Sequence, residues 1–446
     1  MTNSRDVSRT FWLLVLLALS IRLVVLWINL THASPFVWAD DSRSYIRCAD
    51  SLVSHFAFLD ARGMPTWTRP PGYPSLLALT FATGKGASDN FIATLIVQVL
   101  MSTGVVMFAT HLALRFAGYQ RGMLVGILMA LEPSSIASSN LILSETLYTF
   151  MLTAAVLACW TWLERPATSR LLGFAFLISL LPLVRPVALH LPWVLCALVI
   201  WRAPAGVRVR QGLLFLALAL LPSAAWSARN WVHFGSATFD KSGPVAKAMF
   251  AREVELRAGS PNALSGPHAP WRLDFAHGHQ LPRREAMAIQ EKYFTDVIKS
   301  HPAEAAKEVL YTGVKLVGVP DNLLSVVVRG HRTPFEEGTV SGRLRWLLTQ
   351  GWLLPVILLG MALSVGGVLS IPLFAFRIFR ARQWKPVAWG FGVFVIVIIT
   401  YHLALASFVR HAGARYRLPV LPLLALTLVV GTLGVGRTRV EPSVES

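Results

Sequence analysis

Trp38-Ala39-Asp40-Asp41-Ser42-Arg43-Ser44-Tyr45 follows the first strongly apolar segment of the chain, and Thr68-Arg69-Pro70-Pro71-Gly72-Tyr73-Pro74 comes after a further polar run. A segment so placed emerges just outside a membrane. Two adjacent carboxylates there need a reason, because charge in or near hydrocarbon is costly and is often kept for function. If the segment is helical, Tyr45 lies on the face of Asp41, four residues away. The prolines after Arg69 fix φ and stiffen the backbone ahead of the next apolar run. Read functionally, the stretch supplies an acid, a base and a cation. A local reading stands beside it. Asp40 would N-cap a juxtamembrane helix with Asp41 in its first turn, and Arg69 would sit among headgroup phosphates.

Working outward, the 446-residue chain is 54% apolar with a formal net charge of +18, and its mean hydropathy is strongly positive. Several apolar runs reach the ~20 residues that span hydrocarbon, so the fold class is an all-α polytopic membrane protein. The positive charge is explained by arginines at the membrane faces and by anionic lipid or lipid-phosphate partners. No basic helix with interleaved aromatics argues for nucleic acid. The three cysteines, Cys48, Cys159 and Cys196, form neither a disulfide framework nor a metal spacing. Arg5 and Arg9 precede an apolar run that continues past Arg22 to about Leu30 without a clear small-residue cleavage site, which reads as a retained signal anchor.

About ten transmembrane helices are expected, at roughly 10–30, 90–115, 122–138, 143–163, 170–186, 187–201, 212–229, 347–375, 387–407 and 417–436. The short loops Arg115–Arg121, Arg165–Arg170, Arg202–Arg210 and Arg377–Lys385 are basic, as are both tails, and ten spans put all of them on one side. The positive-inside rule makes that side cytoplasmic, with both termini. The chain then divides into a membrane-embedded catalytic module (1–229, with a first outer loop at 31–89), a large extracytoplasmic region (230–346), C-terminal transmembrane helices (347–436) and a disordered tail (437–446). The two outer loop regions would carry juxtamembrane helices, and in the larger one Arg283–Val297 and Pro302–Leu316 have helical spacing. The Gly/Pro/His-rich stretch Gly259–Pro282 reads as a mobile loop.

On this topology the charged residues within and beside the spans converge on the outer face. They are Glu132 and Glu145 at the ends of the third and fourth spans, Arg185 and Arg229 ending the fifth and seventh, and Arg410, His411, Arg415 and Arg417 before the last. Each has a local alternative. Glu145 caps a helix or pairs with Arg185, Arg229 and Arg417 snorkel to headgroups, and His411 is interfacial. The convergence favours function. Guanidinium groups bind phosphate in bidentate fashion at any pH, and a facing carboxylate can accept a proton from a hydroxyl or amine. A lipid-phosphate-linked sugar fits both halves, with the phosphate leaving to arginine and the carboxylate activating the acceptor.

The ordered set Asp41-Ser42-Arg43-Ser44-Tyr45, Arg69-Pro70-Pro71-Gly72-Tyr73-Pro74, Ser144-Glu145, Arg229-Asn230 and Arg415-Tyr416-Arg417-Leu418-Pro419 resembles the bacterial polyprenyl-phosphate-sugar-dependent glycosyltransferases of the GT-C superfamily. These are similar to protein O-mannosyltransferases and to lipid A aminoarabinose transferases. The resemblance implies a catalytic carboxylate in the first outer loop, at Asp41 with Tyr45 four residues on, or at Asp40. It implies a second acidic position at Glu145, which supports the acceptor or the catalytic loop. It places Arg69 near sugar or phosphate, and Arg229, Arg415 and Arg417 near the lipid phosphate. Arg185 joins the substrate-binding set. Direct displacement with inversion is implied for a hexosyl or pentosyl group. No metal ligands are assigned, and the resemblance leaves a divalent metal open.

The expected partners are thus a polyprenyl-phosphate-linked sugar donor, a lipid, glycan or protein acceptor, and membrane lipids, with the active site on the extracytoplasmic face of the inner membrane. A transporter or lipid flippase, which more often shows repeated halves and helices broken at mid-membrane, is the rival from another class, but here the charges sit at one face, the loops are strongly one-sided and no repeat is visible. A glycan ligase or polymerase with a pyrophosphate-linked donor is the nearer rival. A non-catalytic partner subunit is disfavoured by the acids at positions 40, 41 and 145.

Overall fold

Helices dominate because hydrocarbon offers the backbone no hydrogen-bond partners, and a helix satisfies its N–H and C=O groups internally. The computed structural model describes residues 4–33, 36, 37, 39, 41–59, 63–81, 91–240, 242–259, 283–318, 323–329, 346–383, 385–408 and 414–435. The N-terminal half runs through α1 (Ser4–Thr31), α2 (Ser42–His55), α3 (Gly72–Phe81), α4 (Phe91–Ala117), α5 (Tyr119–Ala130), α6 (Pro133–Ser138), α7 (Glu145–Glu164), α8 (Thr168–Val184), α9 (Leu191–Arg202) and α10 (Arg208–Phe234). Then come α11 (Ser242–Arg257), α12 (Arg283–Ser300), α13 (Pro302–Gly318), α14 (Leu323–Arg329), α15 (Leu354–Leu369), α16 (Ile371–Ala381), α17 (Pro386–Ala406) and α18 (Leu421–Leu433), the last preceded by a 3₁₀ turn at Ala414–Val420.

Among the described residues seven helices are long and apolar enough to cross a membrane, corresponding to α1, α4, α7, α10, α15, α17 and α18 with their flanking turns. Two further expected spans appear as shorter apolar helices, Thr168–Val184 and Pro186–Arg202. The chain is a multi-pass membrane protein. α1 exposes Trp12, Leu13, Leu16, Leu17, Leu23, Val24 and Trp27, a strip that lipid covers at no cost.

Two expected spans are interrupted. The third, 122–138, stops at Ala130, leaving a 12-residue α5. Pro133 lacks the N–H needed to continue the helix, and Glu132 instead caps α6, accepting from Ser134 N at 3.0 Å and Ser135 N at 2.5 Å. The eighth, 347–375, ends as α15 at Leu369. It resumes as the separate α16 with Pro372 in its first turn.

α4 lies at the centre, packed against α1, α5, α7 and α18. Ion pairs and carbonyl contacts show which helix ends belong together. Arg115 meets Glu164 at 2.5 Å, Arg121 donates to the Leu433 carbonyl at 2.9 Å, and Lys385 donates to the Phe116 carbonyl at 3.4 Å. The basic loops after α4 and α7 and before α17 therefore share one end of the bundle, as their expected sidedness requires. Outside the bundle, α11, α12 and α13 pack through Phe250, Ala251, Val254, Val297 and Ala305. α12 and α13 fall where helical spacing placed them. All of the expected loop Gly259–Pro282 beyond Gly259, and the tail at 437–446, lie outside the described residues.

Candidate active site

The opposite end of the bundle gathers the acids and bases. Asp41 occupies the N-cap position of α2 and makes no capping bond with its side chain. The cap thus falls one residue later than the local reading placed it, and the carboxylate is free to turn toward arginine. Arg69 Nη2 lies 2.5 Å from Asp41 Oδ1, and its Nε donates to Ser44 Oγ at 2.8 Å. Arg415 Nη2 lies 3.2 Å from Asp41 Oδ2. The Arg415 Nε lies 3.9 Å from Glu145 Oε1, which Arg185 Nη1 approaches to 2.7 Å. The result is a chain of alternating charge, Arg69–Asp41–Arg415–Glu145–Arg185, drawn from the segment between α1 and α3, the start of α7, the end of α8 and the turn before α18. Its members differ in access. Glu145 is 2% exposed, whereas Asp41 is 30% and Arg415 26% exposed.

Aromatic rings hold this chain in place. Arg69 lies over the Tyr45 ring at 4.7 Å, and Arg185 and Arg415 lie over Tyr416 at 5.4 and 5.1 Å. The Tyr45 hydroxyl is 3.1 Å from the Ser144 hydroxyl, so the residue beside Glu145 is tied to α2. Tyr73 meets Tyr45 edge-on at 4.9 Å and donates to Gln98 Oε1 at 2.8 Å. Gln98 in turn donates to the Leu141 carbonyl at 2.7 Å. Ser42 Oγ donates to the Ile142 carbonyl at 2.8 Å, joining the start of α2 to the segment leading into α7. Gly72 completes the frame. A Cβ there would lie 2.7 Å from the Leu183 carbonyl oxygen, so only glycine lets the Arg69 loop approach the end of α8 so closely.

Burial opposes ionisation of Asp41, but the guanidinium groups of Arg69, Arg415 and Arg185 outweigh it and hold the carboxyl below its usual range. Burial pushes the Tyr45 phenol up, which keeps it protonated. Asp41 is therefore an ionised acceptor of a proton, and Tyr45 is a platform. Glu145 Oε2 is buried with no hydrogen-bond partner among the described residues.

Two expected binding residues stand apart from this centre. Arg229 donates to the Thr66 carbonyl at 2.9 Å and lies over Trp226 and Phe234, fastening the segment between α2 and α3 to α10. Arg417 is buried and donates to the carbonyls of Leu316 and Val317, both at 3.0 Å, at the end of α13. Asp40, Arg410 and His411 lie outside the described residues. Among the described residues no group of three or more His, Cys, Asp or Glu side chains converges. Among the described residues three arginines face the two carboxylates.

Arg22 lies within the apolar run of the first span. It is fully buried, donating to Ser102 Oγ at 2.7 Å, Ser135 Oγ at 2.9 Å and the carbonyls of Met129 and Ala130 at 3.3 Å. It thereby clamps the α5–α6 connection that precedes Glu145. A lone arginine inside a span was the available signal. Gln98, a polar residue within α4, was a weaker one.

No family model matches the sequence, and no curated protein matches it significantly. Solved structures do match. The apo oligosaccharyltransferase of Archaeoglobus fulgidus superposes with a TM-score of 0.55 at 12% identity, over 97% of this chain and 51% of that one. The oligosaccharyltransferase AglB of Archaeoglobus fulgidus, in complex with an inhibitory peptide and a dolichol-phosphate, gives a TM-score of 0.52 at 12% identity, covering 96% and 50%. ArnT from Cupriavidus metallidurans bound to undecaprenyl phosphate scores lower, 0.41 at 12% identity over 95% and 77%. The chain spans about half the length of the archaeal enzymes. Along nearly its whole length, it shares the fold of these oligosaccharyltransferases.

Proposed function

We propose that the protein is a membrane glycosyltransferase that moves a sugar from a polyprenyl-phosphate donor to an acceptor at the extracytoplasmic face. The observation that carries this reading is the Asp41 carboxylate, partly exposed and held between Arg69 and Arg415 at one end of the bundle. The acceptor hydroxyl or amine gives its proton to Asp41. Its freed electron pair attacks C1 of the sugar from the side opposite the phosphate. The C1–O bond breaks with its electron pair going to the phosphate oxygen, and the anomeric centre inverts. Arg69 and Arg415 take up the charge of the departing phosphate. Arg185 holds Glu145, which fixes Arg415 from behind. The fold shared with an enzyme that was captured with a dolichol-phosphate agrees with a polyprenyl-phosphate donor entering from the bilayer.

The basic loops at the far end of the bundle favour a cytoplasmic location for that end, and both termini with it. In this reading residues 1–229 form the catalytic module, and the outer region 230–346 covers the site and selects a lipid, glycan or protein acceptor. The test supplies purified wild type, Asp40→Asn and Asp41→Asn with polyprenyl-phosphate sugars and a membrane-lipid extract, reading release of polyprenyl phosphate. Wild type should release it, and Asp41→Asn should lose this by ~10² or more. Movement of a labelled lipid or solute across sealed vesicles without any release would replace the proposal with transport.

A further inference from the structure

The outward face of α13 is apolar where that helix meets the membrane spans. Its packed face carries Ala305, Glu308, Thr312 and Leu316. The opposite face presents Ala306, Leu310 and Val314 at four-residue spacing, which stacks them in one stripe. Leu310 is 70% exposed and Val314 73%, with Tyr311 beside them at 50%. Lys307 stands next to the stripe and pairs with Glu304 at 3.6 Å. Contiguous apolar surface of this kind is costly in water and marks a face that something covers.

Contacts near the end of α13 set its depth. A Cβ at Gly313 would lie 3.1 Å from Oγ of Ser407, the residue that closes the span α17. Leu316 packs with Ala406, Leu403 and Tyr416, and Arg417 donates to the Leu316 and Val317 carbonyls. The stripe is therefore level with the end of a membrane span. From Gly313, Leu310 is about 4.5 Å along the helix axis, less than the ~5–10 Å to which interfacial helices sink their apolar faces. Glu304, Lys307, Glu308 and Lys315 make α13 itself too polar to cross hydrocarbon. Exposed aromatics sit at the ends of both spans on which α13 packs, Phe408 after α17 and Trp352 before α15, as at a membrane–water interface.

We propose that the partner of this stripe is the bilayer. α13 docks on the leaflet at the end of the bundle that holds Asp41, with Leu310 and Val314 among the acyl chains and Tyr311 at the level of the headgroups. Arg417 ties the same helix to the turn that carries Arg415, so the docked helix sets the height of that turn above the hydrocarbon. The inference does not depend on the glycosyltransferase reading.

The test uses the full chain in phosphatidylcholine nanodiscs, with bimane attached to a cysteine placed at one position at a time. The variants are Leu310→Cys, Val314→Cys and, as an exposed reference at the end of α12, Ser300→Cys. All three substitutions leave the packed face of α13 intact. The native cysteines are buried, and labelling of wild type sets the background. Quenching is read with iodide from the water and with phosphatidylcholine carrying a doxyl group either near the headgroup end of the acyl chain or near its tail. Bimane on Leu310→Cys and Val314→Cys should lose fluorescence to the shallow doxyl lipid and less to the deep one. Iodide should quench it several-fold less than on Ser300→Cys. Iodide quenching equal to the reference, without doxyl quenching, would place the stripe in water and overturn the proposal. Protection from iodide and doxyl lipid alike would also overturn it, since a second copy or another segment of the chain would then cover the stripe.

Discussion

Replacing Asp41 with Asn separates chemistry from binding. Among the described residues three arginines and two carboxylates form the cluster, a net charge of one positive. Asn keeps the shape of the side chain and leaves the cluster with two. Removing the proton acceptor should lower kcat by ~10²–10⁴. The donor phosphate should bind more tightly, because Arg69 and Arg415 no longer share their charge with Asp41. An extra unit charge about 4 Å away contributes ~4 kcal/mol at an effective dielectric of 20 and ~1 kcal/mol in water. Asp41 is 30% exposed, so the lower figure applies, or roughly a fivefold gain in donor affinity. The assay measures transfer rate against donor concentration, with donor binding measured separately in the absence of acceptor. A collapse of kcat with donor affinity held or raised supports the assignment. An unchanged kcat, or weaker binding and slower turnover in equal proportion, would refute it, since the second pattern marks a structural prop.

Glu145→Gln leaves Arg185 buried without its counter-charge and should destabilise the protein by about 3–5 kcal/mol. Denaturation midpoints of Glu145→Gln, Arg185→Gln and the double variant form a cycle in which the double should recover part of the loss. Gly72→Ala forces a methyl against the Leu183 carbonyl and should cost about 1–3 kcal/mol, read as a lower melting midpoint with transfer activity reduced further by the displaced Arg69. Because the Asp41 carboxyl is held below its ordinary value, its contribution to stability is present above the unfolded carboxyl pKa of about 4 and is lost as pH falls through the folded value. The pH–rate profile should accordingly show no acid limb from Asp41 between about pH 5 and 8, and a limb there that vanishes in Asp41→Asn would contradict the geometry. Arg22→Met fills the space and abolishes the clamp on Ser135. It should lower the melting midpoint and the transfer rate together, although Arg22 touches no member of the charge cluster directly.

Much of this was legible from residues alone. Hydrophobic runs of spanning length dictated helices, because a backbone in lipid has no other way to satisfy itself. The basic loops announced their common side, since a charged loop crosses a membrane reluctantly. Asp41, Tyr45 and Arg69 stood out in the first loop, and Glu145, Arg185 and Arg415 as charged groups at or beside span ends, and the structure brings all six together. What a linear reading could not supply is which charge faces which. Arg229, Arg415 and Arg417 look alike in the chain, yet only Arg415 reaches the carboxylates, while the other two bind backbone carbonyls. That choice depends on side-chain direction across helices hundreds of residues apart, which local pattern does not encode. The break of the third span at Glu132 was readable from its proline. The burial of Arg22 was not, because an arginine in an apolar run is tolerable only where other helices supply its acceptors, and packing alone decides where they are.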